Sequence, residues 1–451
     1  MYNPTNTRCQ IMSYMDLGAP PLRANNRDAL FPWLDTIFTS GYNLQNVLSI
    51  TSDGTQITIN FNNSGFGYTL GQLIKVSGAS EAVFNKKWRV QSIHETSIKC
   101  NIIDTETYPT IATGTITTLV ASLDWEFVFS NTTQRSIRSK MENSSKSIIT
   151  FKKPTGNLLK DKGAVAYEVE VSKNINPTTG FITDSLTSPY NLTDNGVSVS
   201  SFYFIQSVYS SSAIVATTNN TYMANQNYDL PWHVIGDGRI FYIIIGNQTV
   251  VPTSSTNNIN LINSELSNTY GIYRSNYFFG DYDSFNEQNT INGNELVINF
   301  PQYSNTTYTR SDFDEQVLGS FSTKSTYALK TYIGITSKDI LRPNSIGAKS
   351  SFTSYSTSIT VTNTPFPNPG VNGYILFPVY FQDSMNHFRG SLPYVKFSPQ
   401  SSSAITNTPL ISIYDRREIL DSGEIFTMIP LDTTSSNNYI YYSFAFFSLG
   451  K

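Results

Sequence analysis

The stretch Tyr228-Asp229-Leu230-Pro231-Trp232-His233-Val234-Ile235-Gly236-Asp237-Gly238-Arg239-Ile240-Phe241-Tyr242-Ile243-Ile244-Ile245-Gly246 decides how this chain is read. Trp232 and Val234 alternate with His233 and Ile235 before Gly236-Asp237-Gly238. After it, Arg239, Phe241, Ile243 and Ile245 alternate with Ile240, Tyr242 and Ile244. An Asp-Gly pair between two runs of strand formers is a strong short-range signal for a β-hairpin. Few charges on either arm point to burial on both faces, as in the interior of a β core.

The composition agrees with that reading. The 451 residues are 14% charged and 13% aromatic, with 28 Tyr and 28 Phe, and much of the remainder is Ser, Thr and Asn. Thr, Tyr, Phe, Val and Ile suit a pleated, half-buried surface, while Asn, Ser and Gly supply turns. The expected fold class is all-β: several small β-sandwich or barrel domains, an extended N-terminal arm and one short N-terminal helix. The length allows two to four domains. The expected divisions are 1–43 (arm and helix), 44–122 (small β-barrel or sandwich), 123–262 (β domain with the hairpin) and 263–451 (C-terminal β-sandwich).

The net charge of −3 gives no bulk electrostatic case for nucleic acid or an anionic membrane. The pairs Lys86-Lys87 and Lys152-Lys153 read as solvated strand ends. Cys9 and Cys100 are far apart and lack metal-ligand spacing, so neither a disulfide framework nor a metal site is expected. Met1 to Leu17 lacks the apolar core of a secretory signal, and no apolar run reaches the ~18 residues of a membrane helix. A soluble chain folding in a reducing cytosol is the expectation. The Asn-x-Ser/Thr triplets, such as Asn131-Thr132-Thr133, are the natural product of this composition.

In chain order, Pro4 and Leu17-Gly18-Ala19-Pro20-Pro21 exclude a helix from residues 1–24. Met12, Tyr14 and Leu17 would let this arm pack either on a neighbouring subunit or on its own domain. Asn25 to Tyr42 carries the one helical pattern, with Leu30, Leu34, Ile37 and Phe38 on one face. Asn25, Asn26 and Asp28 are its N-cap candidates and Gly41 its stop. Pro32 fits only the first turn, so the helix either starts late or kinks. Strands are predicted at Val47–Ile50, Gln56–Phe61, Gln72–Ser77, Trp88–Ile93, Ser97–Ile103 and Thr113–Thr118. Leu123–Ser139, Ser147–Phe151, Ala164–Val171 and Gly196–Thr217 form a second β region, which the hairpin is expected to continue. Further strands are predicted at Leu296–Phe300, Ala328–Ile335, Ser358–Thr362, Tyr374–Tyr380, Ile411–Tyr414, Glu424–Ile429 and Tyr439–Leu449.

Candidates for chemistry are few. The three histidines, His94, His233 and His387, have no metal-binding pattern around them. His233 reads as a packed, hydrogen-bonded residue of the hairpin. Asp281 and Asp283 could form an acid–base pair, as glycoside cleavage requires, or hold a cation. The surrounding Phe279-Gly280-Asp281-Tyr282-Asp283 lacks the framework of a calcium loop. Gly236-Asp237-Gly238 joins two strands with no helix following, so it is no phosphate loop, and its glycines are expected to supply the turn. Tyr439-Ile440-Tyr441-Tyr442 and the Asn/Ser/Thr-rich loops would suit sugar rings and hydroxyls, but large β proteins share that composition. No catalytic residue, metal ligand or cofactor is predicted.

Several landmarks together carry a resemblance. They are Leu17-Gly18-Ala19-Pro20, a short helix with Leu34-Asp35, and Ser40-Gly41-Tyr42. Next come Gly71-Gln72-Leu73-Ile74-Lys75-Val76-Ser77-Gly78-Ala79 and Phe84-Asn85-Lys86-Lys87-Trp88-Arg89-Val90. Trp232 with Gly236-Asp237-Gly238-Arg239-Ile240-Phe241-Tyr242, then Phe279-Gly280-Asp281 and Arg389-Gly390-Ser391-Leu392-Pro393, complete the series. In this order they resemble a family of β-rich virion proteins of tailed phages, associated with the tail or baseplate. The resemblance implies a non-enzymatic structural component, made in the host bacterial cytoplasm and assembled in several copies with other virion proteins. Two alternatives are a receptor-binding protein for a host surface polysaccharide and a capsid decoration protein. A depolymerase would call for a carboxylate-lined groove and a repetitive β-helix, and the sequence has no such repeat.

Overall fold

A computed structural model describes residues 9–23, 26, 28–142, 144–153, 164–182, 193–194, 197–208, 229–247, 273–281, 283–284, 296–299, 302–304, 326–332, 335–339, 342–344, 377–382, 388–397, 417–421, 424–436 and 439–450. The chain is all-β: antiparallel sheets and one short helix account for its regular structure among these residues. Ser358–Thr362 and Ile411–Tyr414, two of the predicted strands, lie outside them, as does His387.

The hairpin forms as expected. Trp232–Gly236 pairs with Ile240–Asn247, with Trp232 opposite Ile245 and Gly236 opposite Phe241. Every residue from Trp232 to Asp237 is buried, and so is every residue from Ile240 to Ile245. One face of the pair carries Trp232, Val234, Phe241, Ile243 and Ile245 into the larger apolar core. The other carries Ile235, Ile240, Tyr242 and Ile244 into a second core with Leu392, Tyr394, Val395, Ile425, Phe447 and Leu449. Apolar side chains pointing both ways make this hairpin the middle layer of a stack.

Its sheet is assembled from distant segments. The strand order is Gln10–Ser13, Trp232–Gly236, Ile240–Asn247, Tyr273–Asp281, Leu296–Asn299, Thr326–Tyr332 and Ile335–Asp339. One expectation is corrected here: the hairpin does not continue the sheet of residues 123–208. Ile240–Asn247 pairs instead with Tyr273–Asp281 along its whole length, on either side of the expected 262/263 division. The physical reason is that both edges of a two-sided apolar hairpin need partners, and Gln10–Ser13 and Tyr273–Asp281 supply them.

The N-terminal arm is accordingly part of its own molecule. Gln10 to Ser13 pair with Gly236 to His233, and Ile11, Met12 and Leu22 are fully buried. The Gln10 amide donates to Leu73 O and Ala121 O, each at 2.7 Å, and its oxygen accepts from Leu73 N. Residues 9–23 thus pack on their own chain.

The helix spans Leu30–Asp35 and passes directly into a π-helical turn, Thr36–Ser40. It starts late, which places Pro32 in the first turn where its missing N–H costs nothing. Ala29 occupies the N-cap with no side-chain cap, whereas the Asn26 side chain accepts from Asp28 N in a preceding turn. Asn26 and Asp28 therefore do not cap, and Asn25 lies outside the described residues. Gly41 ends the segment at φ 74°, and a Cβ there would stand 2.2 Å from Val120 O. The helix packs its buried Trp33 edge-on to Trp232, 5.3 Å between ring centroids. Phe38 closes on Phe241 at 4.8 Å, and Trp125 on Phe241 at 5.3 Å.

Residues 42–120 form a small sandwich of two four-stranded sheets. One is ordered Tyr42–Asn46, Gly114–Val120, Leu73–Ala79, Lys87–Arg89, and the other Ser49–Ser52, Gln56–Asn60, Ser97–Asn101, Ser92–Ile93. Gln56–Asn60 and Ser97–Asn101 each alternate between buried and half-buried residues, so each has one face in the core. Trp125–Ser130, Gln134–Ser139, Ile148–Lys152, Ala164–Ser172 and Val197–Val208 run in order through the second large sheet. The C-terminal sheet runs Arg342–Asn344, Phe377–Gln382, Phe388–Phe397, Tyr439–Gly450, Glu424–Ser436, Arg417–Asp421. The short Asp283–Ser284 strand pairs on its Phe388–Phe397 member.

Candidate functional site

The turn of the hairpin brings Asp237, Arg239 and Asp283 together with Tyr394. Asp237 is 1% exposed, and its Oδ1 accepts from Arg239 N at 2.7 Å and Ile240 N at 2.9 Å. The Asp237 side chain thus closes the turn, replacing the expectation that the glycines do so. Gly236 and Gly280 are needed for close approach instead. A Cβ on Gly236 would stand 2.3 Å from Ile240 O, and one on Gly280 2.2 Å from Arg239 O. Gly238 is confined by another segment, its Cβ position falling 2.7 Å from the Met141 side chain.

Asp237 also reaches two other parts of the chain. Its Oδ2 accepts from Tyr394 OH at 2.6 Å, and its carbonyl oxygen accepts from Trp125 Nε1 at 2.9 Å. Beside it, Arg239 forms an ion pair with Asp283, 3.2 Å apart. Tyr242 OH donates to Pro393 O at 2.6 Å. Burial, reinforced by Asp237, raises the Tyr394 phenol well above its ordinary range, so it stays a hydrogen donor. Burial likewise raises Tyr242. Burial raises Asp283 as well, against the pull of Arg239.

The two candidate carboxylates have different partners. Asp281, 1% exposed, accepts from Ser145 N at 2.6 Å and so ties the central sheet to the 139–148 connection. Asp283 belongs to Arg239 and to the strand that joins the C-terminal sheet. Each of these side chains is engaged by a different segment. His233 is 2% exposed, opposite Ser13 in the sheet and edge-on to Tyr14 at 6.0 Å. His94 is exposed on the small sandwich, 3.4 Å from Ser92 Oγ. Cys9 and Cys100 are buried free thiols, both raised by burial. Among the described residues no group of three His, Cys, Asp or Glu could hold a metal ion, and no helix is long and apolar enough to cross a membrane.

The lysine pairs are less solvated than expected. Lys86 pairs with Asp104 and Glu106 and lies over the Trp88 and Tyr108 rings, while Lys87 pairs with Asp124. Lys152 pairs with Glu170, and Lys153 with Asp28. The backbone of Tyr439 to Tyr442 opens the Tyr439–Gly450 strand.

Sequence reasoning missed Tyr394, Gln10, Asp16 and Gln72. Asp16 accepts from Ser13 N, from Tyr42 OH at 2.5 Å and from Gln72 Nε2 at 2.9 Å. Isolated polar residues in apolar stretches were the available signal, because a buried polar group implies a partner. The partners were not legible, since most of these bonds join segments distant in the sequence. No protein-family model matches this chain, and no curated protein matches it either.

Proposed function

We propose that this chain is a non-enzymatic structural component of a tailed-phage virion, present in several copies on the tail or baseplate. The observation that carries this reading is the spatial convergence of the landmark motifs. Gly236-Asp237-Gly238-Arg239, Phe279-Gly280-Asp281 and Ser391-Leu392-Pro393 lie far apart in sequence yet meet around one turn. There Gly280 pairs with Ile240, Asp281 N donates to Arg239 O, and Pro393 O accepts from Tyr242. Pro20 O of the N-terminal motif accepts from Trp232 Nε1 at 3.2 Å. Motifs that meet where segments are tied together suit a protein whose role is its shape.

The surface is in keeping with assembly. Met15, Leu17, Leu44, Leu48, Ile93, Ile103, Ile111 and Phe181 are 43–68% exposed, all but Phe181 on the arm or the small sandwich. Burial of these side chains against other subunits would remove apolar surface from water. The chain's partners in this reading are copies of itself and other virion proteins.

Mass spectrometry of purified particles from the encoding phage, with antibody labelling in negative-stain images, tests the proposal. The chain should be present in mature particles, with label on the tail or baseplate. Absence from washed particles would overturn the reading, and label on the head would move it to capsid decoration. Binding of the purified chain to encapsulated cells, lost on acapsular ones, would replace it with polysaccharide recognition.

A further inference from the structure

We propose that the segment Leu392 to Val395 is a strained clasp, with Asp237 as its catch, that lets the C-terminal sheet release from the central hairpin as a unit. In the Phe388–Phe397 strand, Ser391 pairs with Tyr380 and Lys396 pairs with Pro378. Five residue steps on one strand therefore face two on its neighbour, and the intervening residues bulge away from that neighbour, while Val395 still pairs with Phe447 on the other side. They loop inward: Leu392, Tyr394 and Val395 are 3%, 6% and 2% exposed, packed with Ile235, Ile240, Tyr242 and Ile244 of the hairpin.

Tyr394 sits there at φ 65°, a left-handed conformation that a bulky aromatic residue rarely adopts. Such strain persists only where neighbouring groups hold it. Two phenols hold it. Tyr394 donates to Asp237 Oδ2, and Tyr242 donates to the carbonyl of Pro393, each at 2.6 Å. The Asp283–Ser284 strand adds a third hold, pairing with Ser391 and Gly390 while Asp283 grips Arg239.

Asp237 has a divided role. One carboxyl oxygen closes the hairpin turn and the other holds Tyr394. The turn must therefore be formed before the clasp can close. Releasing Tyr394 leaves the turn intact, and the hairpin's other face stays anchored by Trp33, Phe38 and Trp125. The strain favours opening and the catch opposes it, which is the arrangement of a two-state element.

Hydrogen exchange on the full chain tests the proposal through Tyr394→Phe, which keeps the ring and removes the bond. Backbone amides of Phe388–Phe397, Glu424–Ser436 and Tyr439–Gly450 should exchange together, about 10–100-fold faster than in the parent protein. Amides of Gln56–Asn60, Ser97–Asn101 and Trp125–Ser130 should keep their rates. Tyr242→Phe should give the same pattern, and the double variant should fall short of the product of the two effects, since both bonds hold one loop. Unchanged exchange in the C-terminal strands would overturn the proposal, as would acceleration spread evenly over the chain.

Discussion

The small sandwich of residues 42–120 and the central sheet through Trp232–Asn247 are both antiparallel, yet they are built under different constraints. Gln56–Asn60 alternates buried and half-buried residues, and its neighbours Ser49–Ser52 and Ser97–Asn101 are within 50 residues of it in the chain. Trp232–Gly236 is buried at every position, and one of its neighbours, Gln10–Ser13, lies more than 200 residues away. A one-sided sheet tells its strands which face is inside and leaves the other face free to vary. A two-sided sheet removes that freedom and makes every neighbouring layer a partner. The difference is one of tolerance: half the positions in the sandwich are negotiable, and almost none in the hairpin are.

Removing residues 1–24 should have the largest effect. It strips the edge strand from the hairpin and leaves the Leu73 and Ala121 backbone groups without Gln10. Loss of the cooperative thermal transition, followed by circular dichroism, is the expected outcome. A folded truncated chain would show that the arm is dispensable and erase the contrast.

Charge placement sharpens the comparison next. Val234→Asp and Ile235→Asp point to opposite faces, and both should abolish folding, because each buries an unpaired carboxylate. In the sandwich, Ile50→Asp should be as damaging, whereas Thr51→Asp, exposed beside it, should stay within about 0.5 kcal/mol in urea titration.

Glycine replacement is a smaller probe. Gly280→Ala must push its new methyl against Arg239 O and the Ile240 backbone, and should cost about 3 kcal/mol or slightly more. Gly54→Ala meets nothing within 4 Å and pays only for its φ of 88°, about 1–2 kcal/mol. Equal losses at the two sites would mean that close approach does not discipline the central turn.

The smallest effect concerns acid, and its sign separates the regions. In the sandwich, Asp53 is lowered by hydrogen bonds from Gln56 N and Thr55, and Glu81 by those from Thr113. Their stabilisation is full above the ordinary carboxylate values and is lost as pH falls through their depressed folded values. Asp283 runs the other way, because burial raises it: its charged form costs stability at neutral pH, and that cost disappears as pH falls through its elevated value. Asp53→Ala should therefore lower Tm slightly at pH 7, by an amount that shrinks as acid protonates the carboxylate, while acidification eases the site around Asp283. A Tm difference for Asp53→Ala that grows on acidification would refute the assignment.

Much of the strand content was legible because alternation is a local property. Gln56–Phe61 and Leu296–Phe300 were each predicted within a residue of strands that form, and Glu424–Ile429 marked the start of a longer one, Glu424–Ser436. The helix was legible in its apolar face, and its π-helical end was not, because that end is shaped by Leu123 N bonding to Ile37 O and by Phe38 packing between Trp125 and Phe241. Tyr273–Asp281 and Phe388–Phe397 were passed over because neither shows clean alternation, and the second carries Gly390 and Pro393. The candidate carboxylates Asp281 and Asp283 were noticed for their spacing, and the structure gives them different partners on different segments.

By itself, the sequence determined that this is an all-β protein, that the Trp232–Ile245 region is a hairpin, and that the hairpin is buried on both faces. Those conclusions need only residue type and a period of two, which act over a few neighbouring residues. Tertiary structure alone decided that Gln10–Ser13 and Tyr273–Asp281 flank the hairpin, that Asp237 rather than a glycine closes its turn, and that Tyr394 is held against it. Strand partners and buried hydrogen bonds are chosen by what the whole chain can satisfy at once, and no local pattern encodes that choice.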